Sequence, residues 1–412
     1  MNQVNILFEK ALQLESPWKI KTVNFDETKH LLDIYLDFPS GATFACPDCG
    51  GAVKAYDTTE KRWRHLNFFQ HECNLVARVP RIYCEKHGIV TVSLPWARPG
   101  SNFTLLFEAF ILAFVREMPV NKLSKIINTN GNKLWRIIYR YVDDVRELLD
   151  FSEVSQIGID ETAIKRGHNY VTLFVDLEQR RTIFVAEGKD ASTIDKFKED
   201  FIAHNGNPNN IKAASIDMSP AFIAGLKTNF PGAEIIYDKY HIIKVINTAV
   251  DKVRREEIVK QSILRNSRYV WLKNRENLTE KESVYLSNIE SMPELNLKTY
   301  RAMQMRENFQ EIYKEPTQEA FEHSLKKWYF WVSHSKISPM AAAAKTIKNH
   351  WNGVLKWFEK KINNGILEGL NSLVQAAKAK ARGYKTFKNL STMIYMITGK
   401  LNFDDLFVTH TI

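Results

Sequence analysis

The sequence predicts a multidomain α/β protein, and three observations predict it. The chain has 412 residues, more than one hydrophobic core usually organises. Its texture changes near Ser155, where β-rich runs and paired helices give way to short apolar strands alternating with helices. From roughly Lys252 to Trp351 the pattern is helical and charged, with no strand signal. With 44% hydrophobic and 25% charged residues, the composition is that of a folded chain and excludes a disordered one. The net charge of +10 favours a polyanionic partner, most simply nucleic acid.

The same reading excludes a membrane protein and a disulfide scaffold. The most apolar run, Phe103 to Val115, contains Glu108, stops at Arg116 and is too short to cross a bilayer. The opening Met1-Asn2-Gln3-Val4 has no basic segment leading into an apolar one, and the four cysteines are too few for a disulfide framework. These features predict an intracellular, cytoplasmic protein with no membrane partner.

Taken in order, Trp18 to Phe25 and Leu31 to Phe38 are β-rich and flank a polar turn, a hairpin pattern. Then come Cys46-Pro47-Asp48-Cys49-Gly50 and Cys84-Glu85-Lys86-His87-Gly88. Two such pairs, each followed by Gly, read as knuckles that aim four ligands at one tetrahedral Zn²⁺. This predicts a zinc ribbon built on Cys46, Cys49, Cys84 and His87. Cys73 has no partner at knuckle spacing and reads as a small buried residue. Between the knuckles, Arg62-Trp63-Arg64 alternates basic and aromatic side chains in a way that suits a phosphate backbone.

Asn102 to Glu117 reads as one helix, and Val120 to Ile127 and Lys133 to Val142 as two more around Asn128-Thr129-Asn130-Gly131. A short Gly-containing turn between amphipathic helices is the helix-turn-helix pattern. Its second helix carries Lys133, Arg136 and Arg140 for DNA. After Ser155 the order is β-β-β-α-β-α-β, the ribonuclease H-like order, in which the first and fourth strands are neighbours at the sheet centre. The domain expectations are residues 1–97 for hairpin and zinc ribbon, 98–150 for the helix-turn-helix, 151–250 and 351–412 for the two parts of the α/β domain, and 251–350 for an all-helical insertion.

Three acidic residues suggest chemistry. Asp160 and Asp217 each follow a short apolar run that reads as a strand end, and they lie 57 residues apart. Glu368 opens a helical segment on which Asn371, Gln375, Lys378 and Arg382 share its face. Crowded carboxylates stay ionised only when a cation neutralises them. Such a set suits two Mg²⁺ (or Mn²⁺) ions held over a phosphodiester, with the later turns of the helix on phosphate.

The chain resembles the ISL3-type insertion-sequence transposases, a bacterial DDE transposase family, from about Cys46 to Tyr384. The resemblance is carried by Cys-Pro-Asp-Cys-Gly at 46–50, Arg62-Trp63-Arg64-His65-Leu66, Gly158-Ile159-Asp160-Glu161 with Arg166-Gly167-His168, Asp217-Met218-Ser219, Asp238-Lys239-Tyr240-His241, and Asn364 through Asn371. It implies a catalytic triad of Asp160, Asp217 and Glu368, one structural Zn²⁺, and double-stranded DNA as partner. It also implies at least a homodimer when two element ends are brought together, and a nucleoid-associated location. Gln375 and Ala379 stand where basic residues are expected, and His87 where a Cys is expected. Glu161 should point away from Asp160 in a supporting role, while Asp238 and His241 should approach from the next strand end. Two other classes fit the same modules. A transposase-derived DNA-binding regulator without catalysis is disfavoured by the intact acidic set, and a structure-specific nuclease by the N-terminal modules.

Overall fold

The computed structural model describes residues 3–164, 170–360 and 365–403. The Arg166-Gly167-His168 stretch and Asn364 lie outside the described residues. The chain divides into two compact units, one of residues 1–145 with 401–412, the other of residues 146–400.

The first unit begins with helix α1 (Gln3–Ala11) and a six-stranded sheet of β1 (Lys19–Asp26), β2 (Leu31–Asp37), β3 (Thr43–Ala45), β4 (Ala52–Phe68), β5 (His71–Cys84) and β6 (Gly88–Thr91). The strand order is β1-β2-β5-β4-β3, with β6 also on β5. The predicted hairpin is β1–β2, antiparallel. Trp18, Trp63 and Trp96 meet edge to face in its core, with ring centroids 4.7 and 5.7 Å apart.

Helices α2 (Leu105–Glu117), α3 (Val120–Ile126) and α4 (Gly131–Glu147) follow. The first starts three residues later than the sequence suggests. Thr104 accepts a hydrogen bond from the Phe107 N–H and caps it. Asn102 to Thr104 instead run along β4, where Arg64 N–H donates to Asn102 O at 2.9 Å and Thr104 N–H to Arg64 O at 3.0 Å. α4 buries Leu134, Ile137, Ile138, Tyr141, Val142 and Val145 at helical spacing. Glu108 of α2 is fully buried and accepts from Arg98 Nε, Ser101 Oγ and Tyr141 Oη at 2.9, 2.7 and 2.7 Å, which locks α2 to α4. Leu401 to Phe403 belong to this unit too. Arg116 donates to Leu401 O and lies over the Phe403 ring, which corrects the expectation that all of residues 351–412 close the α/β domain.

The second unit holds β7 (Gln156–Ala163), β8 (Tyr170–Asp176), β9 (Arg181–Glu187), α5 (Ser192–Ala203), β10 (Ala213–Ile216), α6 (Pro220–Asn229) and β11 (Glu234–Tyr237). The sheet order is β11-β10-β7-β8-β9, so the first and fourth strands of this unit are neighbours at its centre, as expected. β10 is parallel to β7 and to β11, whereas β8 is antiparallel to β7 and β9. Alternation sorts the side chains onto two faces. Ile157, Ile159, Phe174 and Ala214 join one core, and Val175, Ala213, Ile236 and the helical Leu367 another.

Among the described residues, everything after β11 is helical. The helices are α7 (Lys239–Glu257), α8 (Arg268–Leu272), α9 (Glu280–Glu290), α10 (Lys298–Ile312), α11 (Gln318–Ser333), α12 (Ser338–Asn349), α13 (Trp351–Lys360), α14 (Gly365–Lys380) and α15 (Phe387–Thr398). Trp271, Phe309, Phe321 and Trp328 are buried with the sheet residues in one continuous core. Of the aromatic run at 328–331, Trp328 is spent on that core, its indole donating to Met305 O at 2.7 Å. α13 reaches β11 through Gly353, where any Cβ would lie 2.3 Å from the Tyr237 ring.

Candidate metal and nucleic-acid sites

In the first unit the two knuckles close on one point. Gly50 and Gly88 take left-handed backbone (φ +72° and +71°), which turns the chain sharply after each ligand pair. Cys46 Sγ lies 3.5 Å from His87 Nδ1, Cys84 Sγ 3.6 Å from the same nitrogen, and Cys49 Sγ 3.7 Å from Cys84 Sγ. A tetrahedron with Zn–S bonds of about 2.3 Å has edges of roughly 3.7 Å, so the spacing is that of a zinc site. All four ligand atoms lie within 4.8 Å of one another, and among the described residues this is the one such group of three or more Cys, His, Asp or Glu. Backbone N–H groups of Lys86 and His87 help pull the Cys84 thiol down to about 6, which favours the metal-binding thiolate. Cys73 is buried away from this point, and burial pushes its thiol up to about 12.

The basic ribbon between the knuckles departs from expectation. Trp63 is only 3% exposed and sits in the core. Arg64 is also buried, its guanidinium donating to His65 O, Cys73 O and Asn67 Oδ1 and pairing with Glu72. Neither side chain is presented to a ligand, because residues 102–104 cover this stretch of β4. Arg62 remains half exposed, with Asp33 Oδ2 at 2.7 Å. On α4, by contrast, Lys133, Arg136 and Arg140 are all exposed, opposite the buried stripe. Arg140 pairs with Asp144 at 3.3 Å.

In the second unit three aspartates fall in one row. Ser215 pairs with Gly158 across β10 and β7, and Ile216 with Tyr237 across β10 and β11. Continuing those registers past the ladder ends puts Asp217 level with both Asp160 and Asp238. Neighbouring strands lie ~4.8 Å apart, so the row is compact. Asp160 is not at a strand end, since β7 runs on to Ala163 and pairs Asp160 with Leu173 of β8. It is the parallel neighbour, β10, that stops there. By period-two alternation Asp160, Asp217 and Asp238 share the sheet face that carries Leu367, and Glu161 points to the other.

α14 lies along β7 on that face. A Cβ on Gly158 would come within 2.8 Å of Leu367 and 2.9 Å of Leu177, so the absent side chain is what lets the helix approach. Further along, Asn371 Nδ2 donates to Asp160 Oδ2, Gln375 Nε2 to Thr162 Oγ1, and Lys378 Nζ to Ala163 O at 2.6 Å. Glu368 is exposed one turn before Asn371 on the same helix face. The sequence had assigned this face of α14 to metal and phosphate. Its middle is instead spent on the strand, and Lys378 is a backbone tie. Arg382 follows the helix in a left-handed conformation (φ +56°) and is exposed.

Electrostatics single out Asp160. Burial pushes its carboxyl up to about 6, and Asp238 and Asp217 add to the rise, while His241 and the Glu161 N–H oppose it. Asp238 is itself buried and caps α7. One oxygen accepts from Tyr240 N–H at 2.7 Å and the other meets His241 Nδ1 at 3.0 Å. Burial disfavours charge on His241, yet the bond to Asp238 and the carboxylates of Asp160 and Asp217 raise it above the ordinary imidazole value. Burial also raises Glu161, with Lys189 Nζ 4.0 Å away. Asn371 Oδ1 is buried without a hydrogen-bond partner beside Asp160. An all-oxygen donor set, a carboxyl whose charge burial disfavours and an unpaired acceptor oxygen fit a hard divalent cation.

Replacing Gly158 by Val tests this packing. The added methyls must displace Leu367 and carry the first turn of α14 away from β7. The expected cost is about 1–3 kcal/mol of stability, read in a denaturant titration.

Comparison with known proteins agrees with this division of the chain. A family model described as a zinc finger of transposases matches residues 42–87, one described as the helix-turn-helix domain of transposase family ISL3 matches residues 92–142, and the ISL3 transposase domain matches residues 157–394. The transposase for insertion sequence element IS1001 of Bordetella parapertussis is 26% identical over 369 residues, covering 86% of this chain and 88% of that protein. The transposase for IS1557 of Mycobacterium tuberculosis is 24% identical over 372 residues, 83% and 82% of the two chains.

Proposed function

The chain belongs to the ISL3 family of transposases. From that premise we propose that it binds the terminal inverted repeats of its own insertion sequence and performs metal-dependent strand cleavage and strand transfer in a ribonuclease H-like domain. Support for this reading comes from the level register of Asp160 and Asp217, with Asn371, one turn after Glu368 on α14, bonded to Asp160. Asp160, Asp217 and Glu368 are the carboxylates that would hold two Mg²⁺ or Mn²⁺ ions there. Bound there, the ions supply a nucleophilic oxygen and stabilise the leaving oxygen of an in-line displacement.

The chain's own residues do the rest. Asn371 fixes the Asp160 carboxylate by donating to one oxygen, and the Glu161 N–H holds the other at 2.8 Å. His241 is hydrogen-bonded to Asp238, which favours its protonated form beside the row. In the first step the P–O3′ bond at the element end breaks as water oxygen bonds to phosphorus. In the second, the freed 3′-hydroxyl oxygen bonds to a target phosphorus as that phosphorus's own P–O3′ bond breaks, and a proton passes to the departing 3′-oxygen. Lys133, Arg136 and Arg140 of α4 provide the DNA-reading face, with Arg62 and Arg382 as further phosphate contacts. The knuckles give the ribbon its fixed shape through one structural Zn²⁺. Two ends must be held at once, so the active form is a homodimer or larger, acting in the cytoplasm at the nucleoid. No described helix is long and apolar enough to cross a membrane.

The test is incubation of the protein with a duplex carrying the DNA that flanks its gene, with Mg²⁺ or with EDTA. Cuts at one defined position per end, present only with metal, are expected. Cuts scattered along the duplex would make it a nuclease, and end binding without any cut a regulator.

A further inference from the structure

The helical segment after α7 carries a cationic cluster that the strand chemistry does not use. Between Asp251 and Lys273 there are seven Lys and Arg against three Asp and Glu. One of those acids, Glu257, is committed elsewhere. Its carboxylate accepts from the N–H groups of Lys298 and Thr299 and from Thr299 Oγ1, each at 2.8 Å, at the start of α10. Another, Asp251, is buried under three arginines. Arg254 donates twice to Oδ1 at 3.0 and 2.8 Å, while Arg255 and Arg268 approach Oδ2 at 3.3 and 3.6 Å.

We propose that this three-arginine cluster on Asp251 is a phosphate-binding site through which the helical segment holds the backbone of double-stranded DNA. The proposal rests on the transposase reading. One carboxylate cancels one of three guanidinium charges, so the cluster keeps two positive charges in close quarters. Like charges held together repel, and an anion on their outer side removes that cost. Each guanidinium offers five N–H donors in a planar fork. Arg254 is buried and spends its donors on Asp251, whereas Arg255 and Arg268 have side chains 62% and 56% exposed and no second ion-pair partner among the described residues.

Asp251 therefore acts as a hub that pre-sets two forks facing water. Around them Lys252, Lys260 and Arg265 are exposed and make no ion pair among the described residues. Tyr269 is 61% exposed, with Arg268 5.8 Å and Lys273 6.0 Å from its ring centroid. A strip of exposed cations along a helix end and the next turn fits a linear polyanion better than a small anion, which needs an enclosed site.

The experiment measures affinity for a gene-flanking duplex and for a random duplex of equal length, across a salt series. Compared are wild type, the double variant Arg255→Gln/Arg268→Gln, and a control, Lys314→Gln/Lys326→Gln, which loses the same charge from exposed one-to-one pairs with Glu311 and Glu322. The cluster variant should lower the slope of log K against log salt by about 2 for both duplexes, so that its affinity falls about tenfold less than the wild type's between 50 and 200 mM salt. The control should keep the wild-type slope, and Arg268→Lys most of it. Thermal melting equal to wild type shows that Arg254 alone holds Asp251. An unchanged slope in a folded cluster variant overturns the proposal, as does a change confined to sedimentation mass, which would make the cluster a contact between copies. Absence of any salt-dependent DNA affinity in the wild type overturns the transposase reading itself.

Discussion

Asp217→Asn is expected to leave end binding intact and slow strand cleavage at least about a thousandfold, equivalent to roughly 4 kcal/mol of transition-state stabilisation. Asn has nearly the shape of Asp, and the Oδ1 atom that accepts the Ser219 N–H at 2.9 Å survives as an amide oxygen, so the turn after β10 persists. What goes is the charge. A neutral amide holds Mg²⁺ poorly, and Asp217 is the middle member of the row, the one level with both Asp160 and Asp238. DNA binding should not change, because the substitution removes none of the cations assigned to DNA, and Lys133, Arg136 and Arg140 lie in the other compact unit. Gel-shift affinity and single-turnover cleavage, measured on the same duplex, separate the two effects. A variant that cuts within tenfold of wild type would remove Asp217 from the metal site.

The second large effect concerns zinc. Cys84→Ser, or extraction of zinc by a strong chelator, should unfold the knuckle end of the first unit and abolish specific end binding. Structural zinc contributes about 10–16 kcal/mol in isolated knuckle-type peptides. The three Sγ atoms and one Nδ1 that the two turns bring within 4.8 Å of one another are the groups such an ion would tie together. Serine offers a hydroxyl that stays protonated at neutral pH, so it cannot replace a thiolate. The loss should appear as one zinc fewer per chain by elemental analysis, with faster proteolysis between Ala42 and Thr91. His87→Cys should keep the metal, since a fourth thiolate fits the same tetrahedron. A Cys84→Ser protein with full zinc content and normal end binding would overturn the assignment.

Much of this was legible in the sequence because local rules govern it. The knuckles follow from Cys and His spacing, the paired helices from 3.6-residue periodicity, and the strand order from alternating elements. What failed depended on what covers a segment. Arg62-Trp63-Arg64 alternates like an exposed ribbon, but residues 102–104 run beside β4 there, and the Arg64 guanidinium is taken up by His65 O, Cys73 O and Asn67 Oδ1. β7 continues through Glu161, Thr162 and Ala163, which are poor strand signals alone, because β8 pairs with all three and Gln375 bonds to Thr162. The face shared by Glu368, Asn371, Gln375 and Lys378 could be read from the spacing, yet spacing does not say that β7 lies beneath its middle. Asp238 is legible as a strand-end residue near the site, and the β10–β11 register adds that it lies level with Asp217.

The order of these elements along the chain has a consequence for biosynthesis. The aspartate row is complete once residue 238 has left the ribosome, whereas Glu368 lies 130 residues further on, beyond the helical stretch. At ordinary translation speeds that gap lasts roughly ten seconds. Throughout it the nascent protein carries its helix-turn-helix domain without the acidic residue proposed to complete the site. A message cut short anywhere in that stretch would encode a product able to occupy element ends but unable to cut them, so incomplete synthesis would restrain the element rather than mobilise it.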